Sequence, residues 1–262
     1  MADPGRWWGE FDTPLDQWSR WLIGPLSLWA RASAGEWRLS WHSDADRLLD
    51  RLSVEMPATG EPDNADETTR YALADAGNRL RLTPRLADRP VVVRPETPLV
   101  IPSGQNTVLF VGTSLWVRIE SLAADTALLT DVPIFRPSDT WFGSNTRIGE
   151  LCYASRTKAR TSAELLGRIP HRAVTPVEVI NKGADALPVS QLRIPVQALS
   201  LFEAGSRLWT DGIRFTRELN STAAEFEIDS AATYVPENRE VLAAPQRPIA
   251  HKSVMEVFSS LF

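Results

Sequence analysis

The amino-acid sequence predicts an all-β, sandwich-like protein, built as one large or two packed antiparallel β units with short N- and C-terminal helices. Three observations support this fold class. Apolar and polar residues alternate with a period of two along much of the chain. Prolines (19) and glycines (14) interrupt these stretches at short intervals, as they do between strands. Hydrophobic residues make up 43% of the 262 positions, which is enough for a substantial core.

The N-terminal region predicts a helix followed by a hairpin. Residues 12–24 suit a short helix because Thr13 can cap its start and Gly24 can end it. Residues 25–41 suit two strands joined by a four-residue turn at 32–35. With that turn, apolar residues oppose apolar residues on one face of the hairpin. On the other face, one pair has opposite charges and the other pair makes a cation–π contact. The predicted inward pairs are Ala30/Trp37, Leu28/Leu39 and Leu26/Trp41, and the outward pairs are Arg31/Glu36 and Trp29/Arg38.

The chain then predicts a brief helix, an acidic loop and a long series of strands. Ser43 can cap the helix, which would carry three leucines, and residues 55–69 form the acidic loop. The predicted strands are Tyr71–Ala74, Arg79–Thr83, Val91–Arg94, Leu99–Ile101, Thr107–Val111, Leu115–Glu120, Pro133–Arg136, Ile148–Arg156, Ala173–Asn181, Leu187–Ile194, Leu199–Glu203, Gly212–Leu219 and Ala224–Asp229.

The C-terminal region predicts a second hairpin and a terminal helix. A two-residue loop at Asn220-Ser221 would oppose Phe215 to Phe226, Ile213 to Ile228 and Arg214 to Glu227. A capping box that begins at Ser253 would open an amphipathic helix. The sequence therefore predicts three parts: a tryptophan-rich unit over 1–88, a main sandwich over 89–250 and the helix over 251–262.

Composition excludes several classes of function. The chain carries 28 basic and 33 acidic residues, a net charge of −5, which disfavours a dedicated nucleic-acid binder. One cysteine and three scattered histidines do not have zinc-ligand spacing, so we expect no metal and no cofactor. No apolar run reaches the length of a membrane span and no secretion signal is visible, so we expect a cytoplasmic protein without a transmembrane segment.

The stretch from Asp139 to Tyr153 is the most distinctive candidate site, because it combines aromatics, glycines and carboxylates. One hypothesis pairs Asp139 with Glu150 as acid and base, with His171 nearby, since glycoside hydrolysis needs two carboxyl groups at a set separation. The competing interpretation is structural, with Trp141 and Phe142 closing one end of the sandwich. Cys152 lies in an apolar strand pattern, which favours an inert buried thiol.

A second candidate site is cationic. Arg156, Lys158 and Arg160 alternate, so a strand would point all three to one side, and two further arginines follow at Arg168 and Arg172. Phosphate, lipid headgroups or an acidic partner could bind there, although the pattern itself favours a solvated surface. The apolar side of the terminal helix adds Phe258 and Phe262 as candidate contacts. Seven of the ten tryptophans fall within the first 41 residues and are either buried or used in binding.

Several of these segments resemble one known family. Trp8-Gly9-Glu10-Phe11, Ile23-Gly24-Pro25-Leu26, Pro95–Gly104, Asp139–Gly143 and Gly149–Tyr153 are similar to the domain of unknown function 432 family across nearly the whole chain. The resemblance implies a protein found mainly in archaea and some bacteria. It carries over no activity and no catalytic residues.

The residues favour a non-catalytic cytosolic interaction module that binds a protein partner, a second copy of itself or a membrane surface peripherally. The contacts would come from the basic strand and the terminal helix. The alternative is a carbohydrate-binding protein or glycosidase that uses the tryptophan-rich surface with Asp139 and Glu150.

Overall fold

The computed structural model describes residues 6–143, 147, 149–219, 224–230, 233–247 and 252–255. It confirms the all-β class. Within these residues the helical segments are two short 3-10 turns, at Ala163–Leu165 and Val196–Ala198. The first twelve strands are β1 Gly9–Asp12, β2 Trp18–Ile23, β3 Leu26–Ser33, β4 Glu36–Ser43, β5 Leu52–Glu55, β6 Glu67–Ala72, β7 Arg79–Arg85, β8 Val91–Pro95, β9 Leu99–Ile101, β10 Asn106–Ser114, β11 Trp116–Leu122 and β12 Thr126–Pro133.

The remaining strands complete the series. They are β13 Asp139–Phe142, β14 Glu150–Thr157, β15 Arg172–Asn181, β16 Leu187–Val189, β17 Leu192–Ile194, β18 Leu201–Ala204, β19 Arg207–Thr210, β20 Gly212–Arg217, β21 Ala224–Asp229, β22 Glu240–Ala243 and β23 Lys252–Met255.

The chain forms two compact units. The first contains the described parts of Met1–Arg85, together with Ser114–Arg136 and Ile169–His171. Its two sheets have the strand orders β5-β2-β3-β4-β6 and β1-β7-β11-β12. Tryptophans supply much of its core, because four of the seven in the N-terminal cluster are buried, namely Trp7, Trp21, Trp29 and Trp37. Most of the N-terminal tryptophan cluster is therefore structural.

The second unit contains Leu86–Thr113, Pro137–Arg168 and the described part of Arg172–Phe262. Its largest sheet has the order β22-β18-β19-β15-β20-β21-β23, with β10 also paired to β15. A four-stranded sheet, β13-β14-β8-β17, and a two-stranded sheet, β16-β9, accompany it. Most pairs are antiparallel, but β14 runs parallel to β8, and β15 runs parallel to β19 and β20. The boundaries predicted at residues 88 and 250 stay a prediction.

The predicted helices do not form in the described residues. The segment 12–24 contains β2, in which Ser19, Trp21 and Ile23 are buried in turn with a period of two. Gly24, at a φ of +54°, makes the tight turn into β3 and does not cap a helix. The segment after Ser43 is a turn.

At the C-terminus, Ser253, Val254 and Met255 of the predicted capping box lie in strand β23, which pairs with β21. The remainder of the predicted helix, with Phe258 and Phe262, lies outside the described residues.

One predicted hairpin has a different register and the other is confirmed. The β3–β4 turn contains only Ala34 and Gly35, so Ala32 pairs with Trp37. The slip equals two positions on one strand, which keeps each side chain on its expected face. Arg38 consequently pairs with Arg31 and not with Trp29. Trp29 pairs with Arg20 of β2, whose guanidinium lies 4.9 Å from the centroid of the indole ring. The β20–β21 pairs Phe215/Phe226, Ile213/Ile228 and Arg214/Glu227 are as predicted, although their loop lies outside the described residues.

Candidate functional site

The hairpin formed by β13 and β14 brings the central candidate residues to the edge of the four-stranded sheet. Asp139 pairs with Tyr153, Trp141 with Leu151 and Phe142 with Glu150. Successive side chains on a strand point to opposite faces, and directly paired residues share a face. The hairpin therefore has two chemically different faces.

The outer face carries Asp139, Trp141, Leu151 and Tyr153. Trp141 and Leu151 are each 42% exposed although both are large and apolar. The Nη1 atom of Arg89 lies 3.4 Å from a carboxylate oxygen of Asp139. The guanidinium of Arg89 also lies 5.4 Å from the centroid of the Tyr153 ring. An exposed apolar pair thus lies next to an exposed ion pair.

The inner face is partly a small core and partly charged. Phe142 and Cys152 are buried against Val92. Arg193, which is only 6% exposed, donates through Nε to Oε2 of Glu150 at 2.8 Å, and its Nη2 contacts the same oxygen. Glu150 is thereby committed to neutralising a buried cation.

Cys152 is poorly suited to nucleophilic chemistry. Burial raises the pKa of its thiol to about 11, and the nearby Glu150 charge adds to this effect, while Arg193 opposes it. A thiol with this pKa is almost fully protonated at neutral pH, whereas the thiolate is the reactive form.

The structure does not bring Asp139 and Glu150 together as an acid and base pair. Asp139 and Glu150 lie on opposite faces of the hairpin, and each contacts an arginine. His171 belongs to the first unit, where it is 1% exposed and its Nε2 lies 3.2 Å from the carbonyl oxygen of Arg47. It packs directly against Gly24. This position indicates a packing role for His171.

The predicted basic strand is only partly a strand. Arg156 is exposed near the end of β14, but the strand stops at Thr157 and Ala159 has a φ of +45°. Lys158 is exposed past that end, and the backbone of Arg160 bridges to Phe110. Arg168 is exposed in the following loop, and Arg172 begins β15. The alternation predicted for Arg156, Lys158 and Arg160 is therefore broken after Lys158.

Pairing of β8 with β14 adds a cation that sequence reasoning missed. Arg94 is the register partner of Arg156, and the two side chains share the inner face. An Nη2 atom of Arg94 lies 3.5 Å from the hydroxyl oxygen of Thr140. Among the described residues, neither arginine forms an ion pair with a carboxylate, and neither does Lys158.

Two other contributing arginines were missed. Arg193 stands between Leu192 and Ile194 in a buried strand, and a charge inside an apolar run is a usable signal that it needs a partner. Arg89 gave no such signal, because it lies in a loop and meets Asp139 only through the fold.

The described residues also bear on metal binding and on membrane-spanning helices. They hold no group of three or more histidine, cysteine, aspartate or glutamate side chains placed to bind a metal ion. The same part of the chain has no helix with the length and apolar character needed to cross a membrane.

Comparison with known proteins identifies a family. No curated protein and no solved structure matches the chain. A family model described as "Protein of unknown function (DUF432)" matches residues 7–261, and all the segments that carried the sequence resemblance lie within that range. Because the match spans nearly the full length, the chain belongs to the DUF432 family.

Proposed function

We propose that the protein is a non-catalytic interaction module that binds an acidic partner protein through a cation surface formed by Arg94, Arg156 and Lys158. The observation that carries this proposal is the register pair of Arg94 and Arg156, two cations side by side on neighbouring strands. Like charges placed directly opposite one another destabilise a sheet. A bound carboxylate or similar anion would remove that repulsion.

Other arginines of the second unit differ from the cation surface in having carboxylate partners, and this difference supports the proposal. Arg89, Arg193 and Arg214 each contact a carboxylate of this chain. Within the described residues, the three members of the cation surface have no such contact. Because the whole chain has a net charge of −5, this surface is a local exception that can orient and attract an acidic segment.

A protein partner is favoured over a membrane surface. Peripheral membrane binding usually combines cations with apolar side chains that enter the lipid. The exposed Trp141 and Leu151 lie on the other face of the hairpin from Arg156. The cation surface therefore has no apolar anchor from these two residues.

The test is fluorescence anisotropy with a labelled poly-glutamate peptide. We expect binding to the wild type that weakens with added salt, because exposed charges are screened. Removing two exposed charges in an Arg156→Gln/Lys158→Gln variant should weaken binding about tenfold, at roughly 0.5–1 kcal/mol for each charge. The control is Lys182→Gln/Arg247→Gln, which removes the same charge elsewhere on the second unit.

Three results would contradict the proposal. These are no measurable binding by the wild type, an equal loss in the control variant, and binding to vesicles of phosphatidylcholine and phosphatidylserine without binding to the peptide. The last result would favour the membrane alternative.

A further inference from the structure

We propose that the outer face of the β13–β14 hairpin, formed by Trp141, Leu151, Asp139 and Arg89, binds a neutral saccharide. The inference is independent of the cation surface, which lies on the other face. It begins from the two large apolar side chains at the sheet edge. Trp141 and Leu151 are directly paired and each is 42% exposed, so together they form one apolar platform.

The indole of Trp141 lies directly against the backbone at Gly149. A Cβ atom added to Gly149 would lie 2.0 Å from the indole Nε1 and 2.8 Å from the carbonyl oxygen of Phe142. Only glycine therefore allows the ring to lie against this part of the backbone. A ring that is already ordered loses little conformational freedom when a ligand binds to it.

Polar groups lie beside the apolar platform of Trp141 and Leu151. Asp139 is two residues before Trp141 on the same face of β13, about 7 Å along the strand. The Arg89 guanidinium pairs with Asp139 at 3.4 Å, and both side chains are more than a third exposed. Together they offer a carboxylate acceptor and several N–H donors with no net charge.

This combination fits a sugar ring better than other occupants. A pyranose has a face of C–H groups, which are attracted to the electron-rich face of an indole, and a rim of hydroxyl groups that donate and accept hydrogen bonds. An acidic segment would find no net positive charge at the Asp139–Arg89 pair, and a purely apolar segment would bury that pair at a cost.

The same geometry favours binding without cleavage. Most glycosidases use two carboxyl groups that flank the bond they cleave. Asp139 and Glu150 point to opposite faces of the hairpin, and Glu150 is engaged by Arg193. We therefore assign Asp139 to hydrogen bonding with saccharide hydroxyls and Glu150 to support of the inner face.

The test is isothermal titration calorimetry of the full chain with cellohexaose, maltohexaose, xylohexaose, mannohexaose and hexa-N-acetylchitohexaose. At least one of these neutral probes should bind the wild type. Trp141→Ala should weaken that binding about tenfold or more, because the aromatic contact is lost. Leu128→Ala removes an exposed leucine from β12 in the first unit and should leave binding unchanged.

Two further variants keep the test decisive if Trp141→Ala fails to fold. Asp139→Asn and Arg89→Gln alter exposed side chains and should each reduce affinity severalfold by removing hydrogen-bonding capacity. The inference is overturned if none of the five probes binds, or if affinity is unchanged in the folded variants of the outer face. Release of shorter sugars from a probe would overturn the assignment of binding without cleavage.

Discussion

Gly24 and His171 provide the sharpest test of the packing in the first unit. Gly24 has a φ of +54°, and a Cβ atom added there would lie 2.1 Å from Nδ1 of His171. His171 has no space into which to retreat, because it is almost fully buried. We therefore expect Gly24→Ala to be strongly destabilising.

The magnitude follows from two separate costs. An alanine at positive φ costs about 1 kcal/mol. Displacing a buried, hydrogen-bonded ring adds about 2 kcal/mol, from lost packing and from a weakened contact with the Arg47 carbonyl. Gly24→Ala should thus lower the free energy of unfolding by about 3 kcal/mol.

Gly77→Ala is the matched control. Gly77 lies in the same unit with a φ of +56°, and its added Cβ atom would be at an ordinary contact distance of 3.4 Å from the Ala123 Cβ atom. This variant should lose only the conformational cost of about 1 kcal/mol.

The assay is urea unfolding monitored by tryptophan fluorescence, which reports mainly on the first unit because seven of the ten tryptophans fall within the first 41 residues. His171→Ala removes the clashing ring, so its combination with Gly24→Ala should cost about 2 kcal/mol less than the sum of the two single variants. Equal losses for Gly24→Ala and Gly77→Ala, or strict additivity in the double variant, would refute the proposed contact.

Three further outcomes are expected. The Cys152 thiol should resist alkylation by iodoacetamide at pH 7.5 in the native protein and react readily in urea; rapid native labelling would contradict its burial. Burial, reinforced by Glu178, raises the pKa of Tyr234 from 10.0 to about 12, and that of Cys152 rises from 9.0 to about 11. Since both are neutral when protonated, stability should be full below about pH 9 and decline as pH rises through 11, and an increase over that range in urea titrations would contradict these shifts. Phe215→Ala should lower stability by about 3–5 kcal/mol because the ring is 1% exposed and packs on Phe226, whereas a loss below about 1 kcal/mol would show that this part of the sheet is loosely packed.

Local pattern was sufficient to predict many strands and one complete register. In the β20–β21 hairpin, a predicted two-residue loop at Asn220-Ser221 selected the alignment in which aromatic and β-branched residues face one another on one side and Arg214 faces Glu227 on the other, and the structure has these pairs. The same reasoning failed in detail for β3–β4, because a shift of two positions preserves the faces and the choice of turn decides between alignments.

Nonlocal contacts account for what the sequence did not reveal. The parallel pairing of β14 with β8 joins residues about 60 positions apart, and nothing local to Arg156 indicates that Arg94 is its neighbour. The opposite orientation of Asp139 and Glu150 follows from the strand register, which sequence spacing alone did not establish. Helix-capping signals at Thr13 and Ser253 were misleading because the same residues also suit turns and strand ends.

Backbone amide mapping by nuclear magnetic resonance tests the cation surface most directly. The protein, labelled with nitrogen-15, would be titrated with unlabelled poly-glutamate peptide at low ionic strength. We expect the largest chemical-shift changes at Arg94, Arg156 and Lys158, and their loss when salt is added. Changes that cluster elsewhere, or that persist at high salt, would contradict an acidic partner at this surface.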